Sequence, residues 1–186
     1  MKSIALVTLG LITTVTVAAA QATQTAAAPT PAVTGIRAEL LAQLDDAAGK
    51  LQQLAEAIPQ EKYSWRPGTG VRSAGEVLGH VTGANYYLLT FAAVKAPADA
   101  PQSETVTDRA QAIQQMRRSF DHVRNVMRNI SDADLDKPTT MFGQQTTYRG
   151  VLLLTVTHAH EHLGQLIAYA RSNGVTPPWS RAAGGQ

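Results

Sequence analysis

His158 and His162 stand four residues apart in a segment with helical apolar spacing, and His80 lies in a second such segment upstream. On a helix, a four-residue step projects both imidazoles from one face about one turn apart, so two ring nitrogens can approach a single ion. His80 is in register with Val77, Ala84, Leu88 and Phe91, at the edge of an apolar, inward-facing stripe. One core histidine is satisfied by an ordinary hydrogen bond. Three imidazoles on the inward faces of two helices are expensive to bury unless something satisfies them, and a divalent cation does so. Three neutral imidazoles leave such an ion its full charge and an open position, where it can lower the pKa of a bound water or thiol. Hydrolysis and thiolate transfer to a carbon electrophile are the two reactions that follow. Imidazole donors suit Zn, Ni and Fe, as they do Cu, so the expected cofactor is a divalent metal of open identity.

Other side chains near these three divide by orientation. Gln165 is one turn beyond His162 and is expected to orient a ligand or the substrate. Glu161 falls about 60° from His158 on the ligand side. There it would serve as a base or hydrogen-bond acceptor, or else stand as a solvated carboxylate at the bundle edge. Trp65 and Tyr87 could wall a pocket. His160 projects from the opposite face. It does not begin a His-Glu-x-x-His motif, because Gly164 occupies the fourth position after it. His122 lies outside its helix's apolar stripe and is expected to be exposed. No Ser/His/Asp order or phosphate-cradling glycine loop stands out. The chain has no cysteine, which excludes disulfides, thiolate ligands, iron–sulfur clusters and cysteine nucleophiles.

The elements that must position these residues follow from pattern and punctuation. A chain of 186 residues with 44% hydrophobic and 16% charged residues suits one folded domain with an appendage. A net charge of +2, scattered basic residues and 5% aromatics speak against nucleic-acid binding. Residues 1–20 read as a signal peptide: Lys2, an apolar run from Ile4, then small residues around Ala18-Ala19-Ala20. The run carries four threonines and barely reaches the roughly 18–20 residues of a spanning helix, so no stable membrane span is expected after cleavage. Export to the periplasm or beyond follows. Residues 21–35 read as a flexible spacer, 36–180 as the bundle and 181–186 as a tail.

Within the bundle, helix one is expected over 36–57, with Leu40, Leu44, Ala47, Leu51 and Leu54 on one face. Residues 60–72 are an irregular loop. Helix two opens on the capping box Ser73/Glu76 and runs to about Val94. Helix three covers 107–130, with Ile113, Met116, Phe120, Val123, Met127 and Ile130 on one side. Met141–Thr147 suits a turn or hairpin, and helix four covers 148–173 before Gly174. Four long helices without convincing strands make an all-α four-helix bundle. In helix four, Val151, Leu154, His162, Gln165 and Tyr169 lie within roughly 40° of His158 at about 100° per residue. Leu153, Val156, His160, Leu163 and Ile167 form a second apolar face, which predicts a homodimer using Leu163 and Ile167.

The order of these motifs resembles the DinB/YfiT-like superfamily of bacterial four-helix proteins. The likeness is carried by Tyr63-Ser64-Trp65-Arg66-Pro67, Val71-Arg72-Ser73 and Gly79-His80-Val81. It is most specific in His158-Ala159-His160-Glu161-His162-Leu163-Gly164-Gln165 and Asn173-Gly174-Val175-Thr176-Pro177-Pro178, and covers roughly residues 36–180. The resemblance implies an up-down-down-up four-helix bundle, often homodimeric, with His80, His158 and His162 binding a divalent metal. It also implies a transferase that joins a low-molecular-weight thiol to an electrophile or isomerises a thiol adduct, although many members have no assigned activity. Two function classes stand on this reading: a metal-dependent transferase or hydrolase of a small molecule, and a non-catalytic metal-binding or stress-related envelope protein.

Overall fold

Leucine and alanine at three- and four-residue intervals give α1 (Gly35–Ala57) one buried face, in which Leu44, Ala47, Leu51 and Leu54 are fully enclosed. The computed structural model describes residues 33–101 and 104–182. The expected signal peptide and residues 21–32 of the spacer lie outside the described residues. Gly35, assigned to the spacer by sequence, is already the first residue of α1.

A short 3-10 turn, Gln60–Lys62, interrupts the loop after α1. Tyr63 is buried there and donates its hydroxyl to the Ala55 carbonyl at 2.6 Å, which ties the loop to the end of α1. The capping box forms as expected: Ser73 Oγ accepts from Glu76 N at 3.3 Å, and the Glu76 carboxylate accepts from Ser73 N at 2.7 Å. It opens α2 (Ala74–Thr90), which ends four residues short of the expected Val94. The stop is a Schellman cap: Val94 N bonds Leu89 O at 3.1 Å, and Ala93 N bonds Thr90 O at 3.0 Å. Ala93 supplies the left-handed residue that this motif requires, at φ 58°.

The Asp108 side chain caps α3 (Arg109–Asn129), whose Met116, Phe120, Val123 and Met127 are buried. Beyond it come a one-turn helix, α4 (Asp132–Leu135), and the antiparallel hairpin β1 (Pro138–Met141) and β2 (Gln144–Thr147). Phe142 and Gly143 turn the hairpin with positive φ, as a two-residue primed turn demands. Thr147 caps α5 (Tyr148–Ser172), the fourth long helix. A second Schellman cap closes α5 at Gly174, φ 73°, with Val175 N on Ala170 O at 2.9 Å. Pro177-Pro178 does not end regular structure, since a short α6 (Pro178–Ala182) follows and crosses the expected boundary of the tail.

The four long helices surround one core. α1 packs on α3 and α5, and α2 packs on α3 and α5, so successive helices α1 and α2 sit diagonally. Arg109, opening α3, reaches the Ala55 and Glu56 carbonyls at the end of α1, and Arg37 near the start of α1 reaches Asp132 beyond α3. Those two helices are therefore antiparallel. α2 and α3 run parallel, with Gly75 against Val106 just before α3 and Asn85 bonded to Ser119 in mid-helix. Trp65 ahead of α2 meets Tyr169 late in α5, while Phe91 after α2 meets Phe142 ahead of α5, so α2 and α5 oppose each other. The sense is up-down-down-up. Joining parallel α2 and α3 needs a crossover the length of the bundle, and residues 91–108 provide it.

The second face of α5 is not open. Val156 and Leu163 are 3% and 6% exposed and belong to the core shared with α1. Of that face only Leu153, 53% exposed, is strongly solvated, while Ile167 is half-buried. The helix is apolar on two sides because it packs against both α1 and α2. Leu163 is thus a core residue of the single chain and not a free dimer contact.

Candidate metal centre

The opposed α2 and α5 bring His80 beside His158 and His162, although 78 residues separate His80 from His158. The three Nε2 atoms converge. His158 Nε2 lies 3.2 Å from His80 Nε2 and 3.1 Å from His162 Nε2. His162 is 8% exposed and the other two are half-buried.

Two of the rings are oriented from behind. His80 Nδ1 donates to Glu104 Oε1 at 2.7 Å, and His162 Nδ1 donates to Gln165 Oε1 at 2.7 Å. A carboxylate and an amide oxygen can only accept, so each Nδ1 carries the proton and each Nε2 presents a lone pair to the centre. Gln165 is fixed in turn by donating to the Tyr169 hydroxyl at 2.9 Å, and Trp65 packs edge-on against Tyr169 at 5.3 Å. The Nδ1 of His158 is buried with no protein partner. Burial, followed by the two neighbouring imidazoles, pushes His158 down to about 4, and burial also lowers His162. Near neutral pH both rings are therefore uncharged.

This donor set fits a metal ion. Nitrogen lone pairs 3.1–3.2 Å apart repel one another unless something positive lies between them. A proton on His158 Nε2 can serve one of its two contacts and leaves the other repulsive. A cation about 2.0–2.1 Å from each imidazole sets nitrogens about 2.9–3.4 Å apart at angles of 90° to 110°. Among the described residues, His80, His158 and His162 are the only group of three or more candidate ligands that comes together.

Glu104 escaped the sequence reading. It sits on the crossover, where its Oε2 also accepts from Arg72 Nε at 3.0 Å. Burial opposes its ionisation, but the hydrogen bonds from His80 and Arg72 outweigh it and hold the carboxyl below its usual range. Gly79 makes room for this loop, since a Cβ there would collide with the Glu104 carbonyl. No periodicity in the crossover marks the residue. The only sequence signal is a glycine one position before a candidate ligand.

The remaining candidates fall elsewhere. Glu161 is exposed and bears on His162 through its charge alone. His160 points the other way, with Nε2 3.2 Å from the Gln43 carbonyl of α1. His122 is not the exposed residue expected. It packs against Tyr86 at 5.3 Å between ring centroids, and its Nε2 is buried without a partner. Tyr87 is 56% exposed and stacks with Phe91 and Phe142, away from the triad's hydrogen bonds. An open cleft of about 600 Å³ adjoins the centre, lined by Arg66, Arg72, Glu76, Glu104 and Gln165 among others.

Comparison with known proteins agrees with this geometry. The model of the DinB superfamily matches residues 43–166. The chain is 29% identical over 133 residues to the uncharacterized protein YjoA of Bacillus subtilis strain 168, covering 67% of this chain and 82% of that one. Its fold is similar to that of a DinB-like protein from Bacillus cereus ATCC 10987, with a TM-score of 0.66 at 20% identity over 75% of this chain and 93% of that one. It is also similar to YfiT of Bacillus subtilis, described as a probable metal-dependent hydrolase with an unusual four-helix bundle topology. There the TM-score is 0.61 at 14% identity, over 81% of this chain and 95% of that one. With a family match over most of the bundle, the fold order and the three converging histidines, the chain belongs to the DinB superfamily.

Proposed function

We propose that the protein is a divalent-metal-dependent enzyme that hydrolyses a small molecule at the histidine triad. The convergence of the three Nε2 atoms carries this reading, because two are aimed from behind by Glu104 and Gln165, and those two residues also line the open cleft beside the centre. The fold shared with YfiT, described as a probable metal-dependent hydrolase, supports it. An ion held by His80, His158 and His162 would supply Lewis acidity and the means to activate water or a thiol near neutral pH.

The chain's own residues do the rest. Glu104 and Gln165 keep the lone pairs of His80 and His162 pointed inward. Burial keeps His158 and His162 deprotonated and so available as ligands. The cleft gives a substrate access from one side, which favours chemistry over closed metal storage. Hydrolysis stands ahead of thiol transfer because it requires no second organic substrate. Export remains part of this reading on the strength of Lys2 and the apolar run that follows it.

Element analysis of protein purified without chelator or His-tag should find a single ion per chain. His158→Ala should lose that ion while keeping its helical circular dichroism, and His160→Ala and His122→Ala should retain it. Full metal content in His158→Ala would overturn the assignment.

A further inference from the structure

We infer that the cleft beside the triad is an oxyanion-binding site, so that the substrate is a small molecule bearing a carboxylate or phosphoryl group. The inference rests on the metal-dependent reading above for where the reacting end of that molecule sits. A volume of about 600 Å³ suits a metabolite. Two guanidinium groups line it, and both side chains are 43% exposed.

Each guanidinium is held along one edge. Arg66 donates to the Val71 carbonyl at 3.0 Å and to Glu76 at 3.2 Å, and Arg72 commits its Nε to Glu104. A planar guanidinium steadied in this way presents a fork that matches a carboxylate or phosphate. The loop bearing both is itself pinned, since Ala74 N bonds Trp65 O at 3.0 Å and Gly75 N bonds Tyr63 O at 2.9 Å. The two cations are therefore in place before a ligand arrives, which lowers the entropy lost on binding.

Charge balance points the same way. Arg66 and Arg72 are matched by Glu76 and Glu104 in the cleft wall. A divalent ion at the triad would leave positive charge uncompensated by that wall, and an anionic substrate supplies the complement. Glu104 also links the two parts of the site. One oxygen serves His80 and the other Arg72, so the metal ligand and the anion-binding arginine are set by a single carboxylate.

The test is calorimetric titration of the full chain, zinc-loaded and metal-free, with succinate, inorganic phosphate and neutral succinamide. Zinc-loaded protein should bind at least one of the anions about tenfold or more tightly than succinamide, and added salt should weaken that binding. Arg72→Met and Arg66→Met should each weaken anion binding about tenfold while zinc content is unchanged. Whichever anion binds more tightly identifies the group as carboxylate or phosphoryl. Equal binding of succinamide, or wild-type anion affinity in both methionine variants, would overturn the inference while zinc retention left the metal reading standing. A wild-type chain that takes up no zinc would instead defeat the metal reading.

Discussion

The Glu104 carboxylate accepts from His80 Nδ1 at 2.7 Å, so the loop that leaves α2 returns to orient a ligand on that same helix. Removing the acceptor frees the ring to rotate and to change tautomer. Glu104→Ala should lower zinc affinity roughly 10- to 100-fold in chelator competition. Melting of the metal-free protein should barely move, because this side chain is 46% exposed. Glu104→Gln retains an acceptor oxygen and should recover part of the affinity. Unchanged affinity in the alanine variant would mean that His80 needs no partner.

Acid should destabilise the metal-free protein in a defined window. In the unfolded chain His158 and His162 titrate near their ordinary value of about 6.5. In the native state burial lowers both, His158 to about 4. Between those values the unfolded chain binds more protons, so stability is fully present above about 6.5 and falls as the pH is lowered towards 4. Protons compete with a bound metal for the same imidazole lone pairs, so metal content should also fall as the pH is lowered towards 4. Melting temperatures and metal content across this range check both points. A melting temperature that rises from pH 7 to pH 5 would contradict the sign.

Leu163 separates a core role from an interface role. At 6% exposure within one chain, Leu163→Ala should cost about 2–4 kcal/mol of folding stability, independent of protein concentration. Leu153→Ala, at an exposed position, should stay within about 0.5 kcal/mol of wild type. Denaturant titrations at two protein concentrations distinguish the cases. A concentration-dependent loss at Leu163 would return that residue to a subunit contact.

The two Schellman caps offer an internal comparison. Gly174 takes the left-handed position without strain, whereas Ala93 holds φ 58° with a Cβ present. Ala93→Gly should therefore raise stability by about 1 kcal/mol, read from denaturant unfolding. A loss of stability would mean that the alanine methyl contributes more by packing than it costs in backbone strain.

These caps also show where sequence stops being legible. Gly174 announced the end of α5 because glycine there has one obvious use. Phe91-Ala92-Ala93-Val94 has no such marker, and alanine propensity favours helix, so local pattern alone extends α2 past its end at Thr90. The core faces of α1 and α3 could be read from leucine, methionine and phenylalanine spacing, since one buried stripe imposes one period. α5 could not be resolved so simply. Two apolar faces look the same whether the second meets another helix or another subunit. Among the site residues, His158, His162 and Gln165 share a helix and hence a readable geometry. Glu104 is joined to His80 only by the path of an irregular loop, which no local pattern encodes.

The up-down-down-up order has a consequence for how the chain can assemble. α1 and α2 are diagonal, α2 and α3 are parallel, and α3 lies diagonally from α5. No two consecutive long helices form an antiparallel hairpin of the kind that can close early around a short loop. Of the consecutive pairs only α2 and α3 pack together, across the long crossover, and the apolar stripes of both are covered fully only when α1 and α5 have docked. Folding is then a single cooperative event for the bundle. His80 and His158 meet only when the last long helix has docked, so the metal-binding geometry is a property of the completed fold and of nothing smaller.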